Sequence, residues 1–257
     1  KDLDEAILIL KKQQPDVTEW SKIEDELAID HTVYTVDLLG CGRSDKSSIT
    51  YTNFVYVQMI SDFIKKIIGQ KTDVIASGFS GSFVTMACHN EKELFNKIML
   101  VNPPSLTQLK QMPNRKDRLL KAALEIPIFG TLVYHMIVSR DNINNLFIEK
   151  MYYNPFHVDN QMADAYYEAA HKGGYYTRFL YSSLAAKYIN INICHALKAL
   201  DNSIYIVEGE TEPNGKAVTD DYCASNPAIE VSVLKETKHL PHVEAPEAFL
   251  EQVKIFF

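Results

Sequence analysis

The sequence predicts an α/β protein built on a mostly parallel, doubly wound sheet, with a large helical insertion late in that sheet. Short continuous apolar runs such as Ala6–Leu10 are typical of strands that are buried on both faces. These runs alternate with segments of helical periodicity, which indicates strand–helix–strand units and parallel pairing. The alternation breaks once, where about 100 residues between Val101 and Ile204 carry helical patterns alone.

Six strands and three helices are predicted along the alternating part of the chain. The strands are Ala6–Leu10, Thr32–Val36, Asp73–Ala76, Lys97–Val101, Ile204–Val207 and Val231–Leu234. The helices are Asn53–Ile68, Ser82–His89 and Pro246–Phe257. Gly69 suits the end of the first helix and Pro246 the first turn of the last, so both boundaries have a physical reason.

The long helical stretch predicts a subdomain of its own. We expect residues 1–104 and 190–257 to form the core and residues 105–189 to form a helical cap. The stretch is rich in tyrosine, with Tyr152, Tyr153, Tyr166, Tyr167, Tyr175, Tyr176, Tyr181 and Tyr188. Most of these rings are expected to pack helices against the core, whatever the function of the protein.

Composition and charge weakly disfavour some classes of partner. The 257 residues are 46% hydrophobic and 23% charged, and 26 basic against 33 acidic side chains give a net charge of -7. This acidity disfavours nucleic acid and anionic membranes as main partners, and no apolar run is long enough to span a bilayer. The basic cluster is interpreted as a solvated helix face; it contains Lys110, Arg115, Lys116 and Arg118. We expect a small-molecule partner.

The cysteines indicate no metal or redox site. Cys41, Cys88, Cys194 and Cys223 are scattered and form no C-x-x-C pair. Four reduced thiols in a cytosolic protein are a simpler interpretation than two disulfides. We therefore predict a cytoplasmic protein that carries no metal and no cofactor.

Polar residues gather at four of the predicted strand ends, where open α/β sheets place their functional sites. The four segments are Asp37–Lys46, Ala76–Ser82, Val207–Glu212 and Lys238–Glu247. They read DLLGCGRSDK, ASGFSGS, VEGETE and KHLPHVEAPE. Serines, carboxylates and histidines are the residue types that nucleophilic catalysis uses.

Together the four segments resemble the motifs of the α/β hydrolases. In chain order they are similar to the D-x-x-G-x-G-x-S turn, the small-x-nucleophile-x-small elbow, the G-x-x-D turn and the H-x-P-x-x-E-x-P-E pattern. The resemblance covers nearly the whole chain and looks closest to capped members such as haloalkane dehalogenases and small esterases. It implies an α/β-hydrolase fold with a helical cap and the order nucleophile, acid, histidine.

The elbow segment fits in two registers. In one, Ser80 is the nucleophile and Gly78 and Ser82 are its small flanks, so that the N–H of Gly81 would donate to an oxyanion. In the other, Ala76 and Ser80 are the flanks and Gly78 fills the nucleophile position. The second register puts Gly81 where the helix must pass close to the sheet, whereas a glycine cannot attack a substrate. Both registers stay open on the sequence alone.

The last two segments correspond to the acid and the histidine of the family. Glu212 takes the place of the triad acid, with Glu210 as the alternative and an exposed acidic turn as the competing structural interpretation. His239 takes the place of the catalytic histidine, and His242 is the alternative. The first segment, by contrast, is expected to be a structural turn in which glycines supply positive φ angles.

One departure from the family pattern concerns the oxyanion loop. The first strand of these proteins usually ends in His-Gly, whose loop helps to build the oxyanion hole. Here Leu10 continues into a Lys-Lys-Gln-Gln-Pro segment without a glycine. An altered oxyanion loop together with the ambiguous elbow is what a non-catalytic member of the family would show.

Two functions are therefore expected from the sequence. The first is hydrolysis of a small to medium, largely apolar ester or acyl substrate, with Ser80 attacking, His239 as base and then acid, and Glu212 orienting His239. The second is binding of a small ligand by a non-catalytic homologue, with Gly78 in the nucleophile position and His239 and Glu212 kept as a hydrogen-bonded pair. A dehalogenase would need an aspartate at the elbow, and the segment contains none.

Overall fold

A six-stranded parallel sheet forms the centre of the molecule, as the sequence predicts. The computed structural model describes residues 5–11, 20–158 and 160–257. The strands are β1 (Ala6–Lys11), β2 (Thr32–Asp37), β3 (Thr72–Ser77), β4 (Phe95–Val101), β5 (Ile204–Gly209) and β6 (Glu230–Leu234). Their order is β2-β1-β3-β4-β5-β6, and every neighbouring pair is parallel. The predicted α/β class is confirmed.

Helices cover both faces of the sheet. Before β4 these are α1 (Ser21–Leu27), α2 (Asn53–Phe63) and α3 (Phe79–Asn90); after β5 come α11 (Gly215–Ser225), α12 (Pro241–Glu244) and α13 (Pro246–Phe256). Leu8 and Leu10 of β1 point into a cluster with α2 and α3, whereas Ile7 and Ile9 point into a second cluster with α1 and α13. Because alternate residues of a strand face opposite sides, one apolar run fills both layers.

The segment between β4 and β5 is helical in the residues that are described. It holds α4 (Leu106–Leu109), α5 (Arg115–Glu125), α6 (Phe129–Ile137), α7 (Arg140–Leu146), α8 (Asn160–His171), α9 (Thr177–Ala185) and α10 (Cys194–Ala199), with a π-helical turn at Phe147–Met151 and 3₁₀ turns at Pro155–His157 and Gly174–Tyr176. A third apolar cluster joins this segment to Leu240 near the end of the chain. The division into a core and a cap at residues 105–189 stays a prediction.

Two predicted helix boundaries differ from the structure. The helix predicted over Asn53–Ile68 is α-helical to Phe63 and continues as a π-helical turn over Ile64–Ile68, which Gly69 ends with a φ of 75°. The helix predicted from Ser82 begins at Phe79, because a single residue makes the whole turn from β3. The predicted oxyanion loop after Lys11 falls in residues 12–19, outside the described part of the chain.

None of the described helices is by itself long and apolar enough to span a membrane. α5 and α6 meet the length and composition criteria only when taken together, and the two helices bend by 98° at their junction.

Candidate functional site

The sharpest turn in the sheet lies at Gly78, between the end of β3 and the start of α3. Its φ of 57° and ψ of -129° are angles that residues with a Cβ adopt only under strain. The Gly78 N–H donates to the carbonyl of Val101 on β4 (2.9 Å), which ties the turn to the next strand. A strained strand-to-helix turn of this kind is where the α/β-hydrolase fold exposes its nucleophile.

Small residues surround this turn at the spacing that Gly78 at its centre requires. A Cβ on Gly81 would lie 3.0 Å from Leu100 Cδ2, so the helix passes the sheet at close range there. Ala76 and Ser80 are buried two residues to either side. The positions of Gly78 and Gly81 therefore match the register of the elbow in which Gly78 fills the nucleophile position.

The hydroxyl of Ser80 is bonded to main-chain carbonyl groups. Ser80 lies in the first turn of α3 and is 1% exposed. Its Oγ is 2.6 Å from the carbonyl oxygen of Ser77 and 3.4 Å from that of Leu10, both of which accept hydrogen bonds. Ser80 lines an apolar cavity of about 200 Å³ with residues such as Tyr56 and Phe83. His239 does not line that cavity.

Glu212 and His239 form a hydrogen-bonded pair at the ends of β5 and β6. The Nδ1–H of His239 lies 3.1 Å from both carboxylate oxygens of Glu212 and donates to them. A carboxylate in this position fixes the orientation of the imidazole ring. The His239 N–H donates to the carbonyl of Met151, so the π-helical turn of the insertion also holds the loop.

Asn102 joins the loops that carry the pair. Its side-chain amide donates to the carbonyls of Lys238 (2.9 Å) and His239 (3.0 Å), and its Oδ1 accepts from the N–H of Gly209 (3.0 Å). A Cβ on Gly209 would stand 1.9 Å from the Lys238 carbonyl oxygen, so only glycine permits this approach. Asn102 was not among the residues predicted for the site. The feature of the sequence that could have indicated it is its position, as a polar residue directly after an apolar strand.

Glu210 and His242, the alternatives to Glu212 and His239, make other contacts. Glu210 accepts a hydrogen bond from the N–H of Glu236 at 3.0 Å. His242 is buried and stacks on Trp20, with ring centroids 3.9 Å apart and an interplanar angle of 16°. Thus Glu212 rather than Glu210 contacts His239, and His242 packs in the core beside α1.

A cavity of about 300 Å³ opens where these elements meet. Its lining includes the turn at Gly78, the first residue of α3, both members of the pair, the strand-end residues Asn102 and Glu208, and Gln108 of α4. Gly78, Glu212 and His239 are thus brought together at one cavity, while Ser80 and Gly81 are not among its lining residues. No group of three or more metal-ligating side chains occurs among residues 5–11, 20–158 and 160–257.

Glu208 is a buried acid in this cavity that the sequence reasoning did not select. It is 5% exposed, and its Oε2 has no hydrogen-bond partner in the described part of the chain. Burial raises the pKa of Glu208, a hydrogen bond from Thr219 opposes that shift, and the charge of Glu212 adds to it. The signal in the sequence was a carboxylate at the end of an otherwise apolar strand, directly before Gly209.

The segment after β2 forms a structural turn, as expected. Asp37 accepts a hydrogen bond from the Arg43 N–H at 3.0 Å, and the Ser44 hydroxyl donates to the Asp37 carbonyl at 2.6 Å. Gly40 and Gly42 both have positive φ angles. The turn lines a second cavity, of about 180 Å³, with helices of the insertion.

Comparisons with known proteins agree on the fold. A family model described as the alpha/beta hydrolase family matches residues 17–252. The 2-hydroxy-6-oxo-6-phenylhexa-2,4-dienoate hydrolase of Rhodococcus sp. strain RHA1 superimposes with a TM-score of 0.77 at 17% identity, covering 100% of this chain and 92% of that one. A serine hydrolase involved in carbazole degradation gives a TM-score of 0.77 at 14% identity, covering 98% and 90%.

Curated sequence relatives match a shorter stretch. Uncharacterized proteins of Mycobacterium bovis and Mycobacterium tuberculosis are 24% identical over 103 residues. The match covers 40% of this chain and 30% of theirs, so this chain spans less than a third of the length of those relatives. At these sequence identities, the similarity to the solved structures shows the fold alone.

Proposed function

Because the chain belongs to the α/β hydrolase family, we propose that it is a member that binds a small molecule without attacking it covalently. The observation that carries the proposal is Gly78 at the strained turn, beside the His239–Glu212 pair. A residue at that turn is the one that the fold presents to a bound molecule, and glycine has no side chain to react.

The position of Ser80 supports the same conclusion. A nucleophilic serine needs its hydroxyl within hydrogen-bond reach of the histidine that takes its proton. The Ser80 hydroxyl instead bonds two main-chain carbonyls and lines a different cavity from His239. The pair then serves recognition, with the His239 ring and the buried carboxyl group of Glu208 contacting a polar group of the ligand.

The start of α3 adds a preference for ligand charge. Phe79, the first residue of this 12-residue helix, lines the cavity. The first N–H groups of a helix have no partner within the helix and carry the positive end of its dipole. A carbonyl or carboxylate oxygen of the ligand is therefore the group we expect near Gly78.

Hydrolysis is the second candidate function, and the His239–Glu212 geometry favours it. In that case a small to medium, largely apolar ester or acyl compound would be cleaved by Ser80, His239 and Glu212. A rotation of Ser80 away from its two carbonyl partners would be required first. The residues predicted as a cap would give the substrate its apolar surroundings, and a cytoplasmic location remains our prediction from the sequence.

A fluorophosphonate probe separates the two functions. We expect no labelling of the wild type, because no serine lies at the turn. Gly78→Ser places a hydroxyl at angles that family nucleophiles adopt, so this variant should be labelled, and Gly78→Ser with His239→Ala should not. Gly78→Ala is the matched control, since it adds the same backbone strain without a hydroxyl.

Labelling of the wild type that disappears in Ser80→Ala would instead establish Ser80 as a nucleophile and refute the binding proposal.

Ligand binding is measured separately, by ligand-observed NMR with a panel of small esters, ketones and carboxylates. Compounds that bind the wild type should lose at least about tenfold in affinity in His239→Ala, the cost of one hydrogen-bonded polar contact. Equal binding by this variant would place the ligand elsewhere.

A further inference from the structure

The junction of α5 and α6 presents a large group of exposed apolar side chains. We name this group the apolar corner; its members are 45% to 86% exposed and comprise Leu119, Leu120, Ile126, Ile128, Phe129, Leu132 and Met136. Single exposed apolar residues are common on proteins, but so many within residues 119–136, on two adjoining helices, mark a surface that contacts something apolar.

Helical spacing aligns part of the corner into one stripe. Phe129, Leu132 and Met136 are three and then four residues apart, so they lie on the same face of α6. The opposite face packs inward through Tyr134, whose hydroxyl donates to the Ala170 carbonyl at 2.8 Å. Because α6 is anchored on that side, the apolar stripe faces outward.

The tip of the corner is strained. Ile128 has a φ of 67° and a ψ of -63°, and the Phe129 N–H donates to the Pro127 carbonyl at 2.8 Å. This is a γ-turn with positive φ, which is rare and costly, the more so for a β-branched residue. The turn holds a side chain that is 86% exposed at the point where two helices meet at 98°. Strain of this kind is found where a side chain is positioned for function.

A basic cluster adjoins the corner on α5. Lys110, Arg115, Lys116 and Arg118 are all exposed, and none of them forms an ion pair within the described ranges. Three of them lie in the first turn of α5, where the helix dipole disfavours positive charge. Their placement therefore does not stabilise the helix.

Charge and apolar surface share one face of α5. Lys116 is three and four residues before Leu119 and Leu120, so all three side chains lie along the same stripe. Long basic side chains beside an apolar surface can reach headgroups while their stems stay in apolar contact. A helix pair with this distribution matches the features of helices that lie in the membrane interface.

We propose that the apolar corner and the basic cluster dock this protein onto the surface of a bilayer that contains anionic lipids. The net charge of -7, which on the sequence alone predicts that anionic membranes are disfavoured, is a sum over the whole chain. Because salt screens each charge within about a Debye length, the local basic cluster governs the attraction at this face. The exposed side chains stand where two helices meet at 98°, and exposed apolar side chains beside basic ones suit insertion between anionic lipids. The basic cluster, read from the sequence as a solvated face, then contacts anionic headgroups.

Vesicle sedimentation of the full chain tests the proposal. We expect binding to phosphatidylcholine vesicles with about 30% phosphatidylserine at about 0.15 M salt, and little binding to pure phosphatidylcholine. Lys116→Glu with Arg118→Glu should weaken binding by about tenfold or more, because each basic residue near the surface contributes to attraction. Leu119→Ser, Leu132→Ser and Met136→Ser together should reduce it at least as much.

Matched controls change exposed residues elsewhere. Ile67→Ser with Ile255→Ser removes two exposed apolar side chains, and Lys198→Glu with Lys235→Glu makes the same change of charge. These controls should bind vesicles as the wild type does. All substituted positions are exposed, so each variant should keep the circular dichroism spectrum and melting temperature of the wild type.

Three results would overturn the proposal. The first is no sedimentation of the wild type with anionic vesicles, and the second is equal binding by the corner variants and their controls. The third is a concentration-dependent dimer, seen by analytical ultracentrifugation, that the corner variants disrupt while vesicles bind neither form; the corner would then join two copies of the chain. None of these results bears on whether the wild type or the Gly78→Ser variant is labelled by the fluorophosphonate.

Discussion

The two halves of the candidate site differ in what holds them in place. Around Gly78 the main chain makes the turn by itself, and the hydroxyl of Ser80 bonds to the carbonyl groups of Ser77 and Leu10. Around His239, side chains reach across the sheet: Asn102 joins the loops after β5 and β6, and Glu212 orients the imidazole. The first half is a backbone shape without a functional group, and the second is a network of polar side chains.

This difference has a cost in stability that is unequal for the two halves. Removing Asn102 would leave main-chain groups without partners, and such groups cost about 1–3 kcal/mol each when buried. A glycine at the strained turn, by contrast, relieves roughly 1–3 kcal/mol that another residue would cost there. A histidine–carboxylate pair held by structural bonds is therefore poor evidence of catalysis by itself.

Paired glycine substitutions should give the largest contrast between the halves. Gly209→Ala would place a Cβ 1.9 Å from a main-chain oxygen, so the His239 loop must move away. We expect this to lower the free energy of unfolding by about 3 kcal/mol or more. Gly81→Ala meets only Leu100 Cδ2 at 3.0 Å, the end of a flexible side chain, and should cost about 1 kcal/mol or less. Urea denaturation measures both, and equal losses would contradict the contrast.

An asparagine pair should give a smaller but more specific effect. Asn102→Ala removes three hydrogen bonds and should lower the free energy of unfolding by about 2–4 kcal/mol. Asn202→Ala is the control, because Asn202 also bonds two main-chain carbonyls but between β4 and the start of β5, at the opposite end of these strands. Only Asn102→Ala should also shift the NMR signals of the His239 ring; a similar shift in both variants would show that the effect is general loosening.

Glu208 should give the smallest effect, one that depends on pH. Because burial raises its pKa above the unfolded value of 4.5, the folded state binds the proton more tightly. That contribution to stability is fully present below about pH 4.5 and is lost as the pH rises through the raised pKa. Glu208→Gln should therefore raise the melting temperature relative to wild type near pH 8 and match it near pH 4.

Glu251→Gln, an exposed acid on α13, is the control for that experiment and should give no such pH dependence. A melting temperature of Glu208→Gln below the wild type at about pH 8 would show that Glu208 is ionised and stabilising at the site.

The strands and the fold class could be predicted because they depend on local patterns. Apolar runs such as Ala6–Leu10 fill both faces of the sheet, and polar strand ends mark where the loops meet. The pairing of Glu212 with His239 follows from the same topology, since β5 and β6 are neighbours. These features need no information about side chains far away in the sequence.

Other features depend on contacts that no local pattern encodes. The choice between Gly78 and Ser80 rests on one backbone angle, because small residues satisfy the elbow pattern in either register. The role of Asn102 rests on main-chain groups more than 100 residues away. Leu119 of α5 and Leu132 of α6 are apolar residues of the kind that a helix usually buries. Only the packing of the two helices reveals that they face outward.

The turn at Gly78 also has a consequence for how this protein can change over time. Glycine codons GGT and GGC become the serine codons AGT and AGC through the exchange of one base. The backbone there already has the angles at which the fold exposes a nucleophile, and His239 with Glu212 lies at the same cavity. Under the proposed function, an unreactive and a reactive form of this protein thus differ by one base exchange, which makes the chain a natural starting point for laboratory evolution of a new hydrolase.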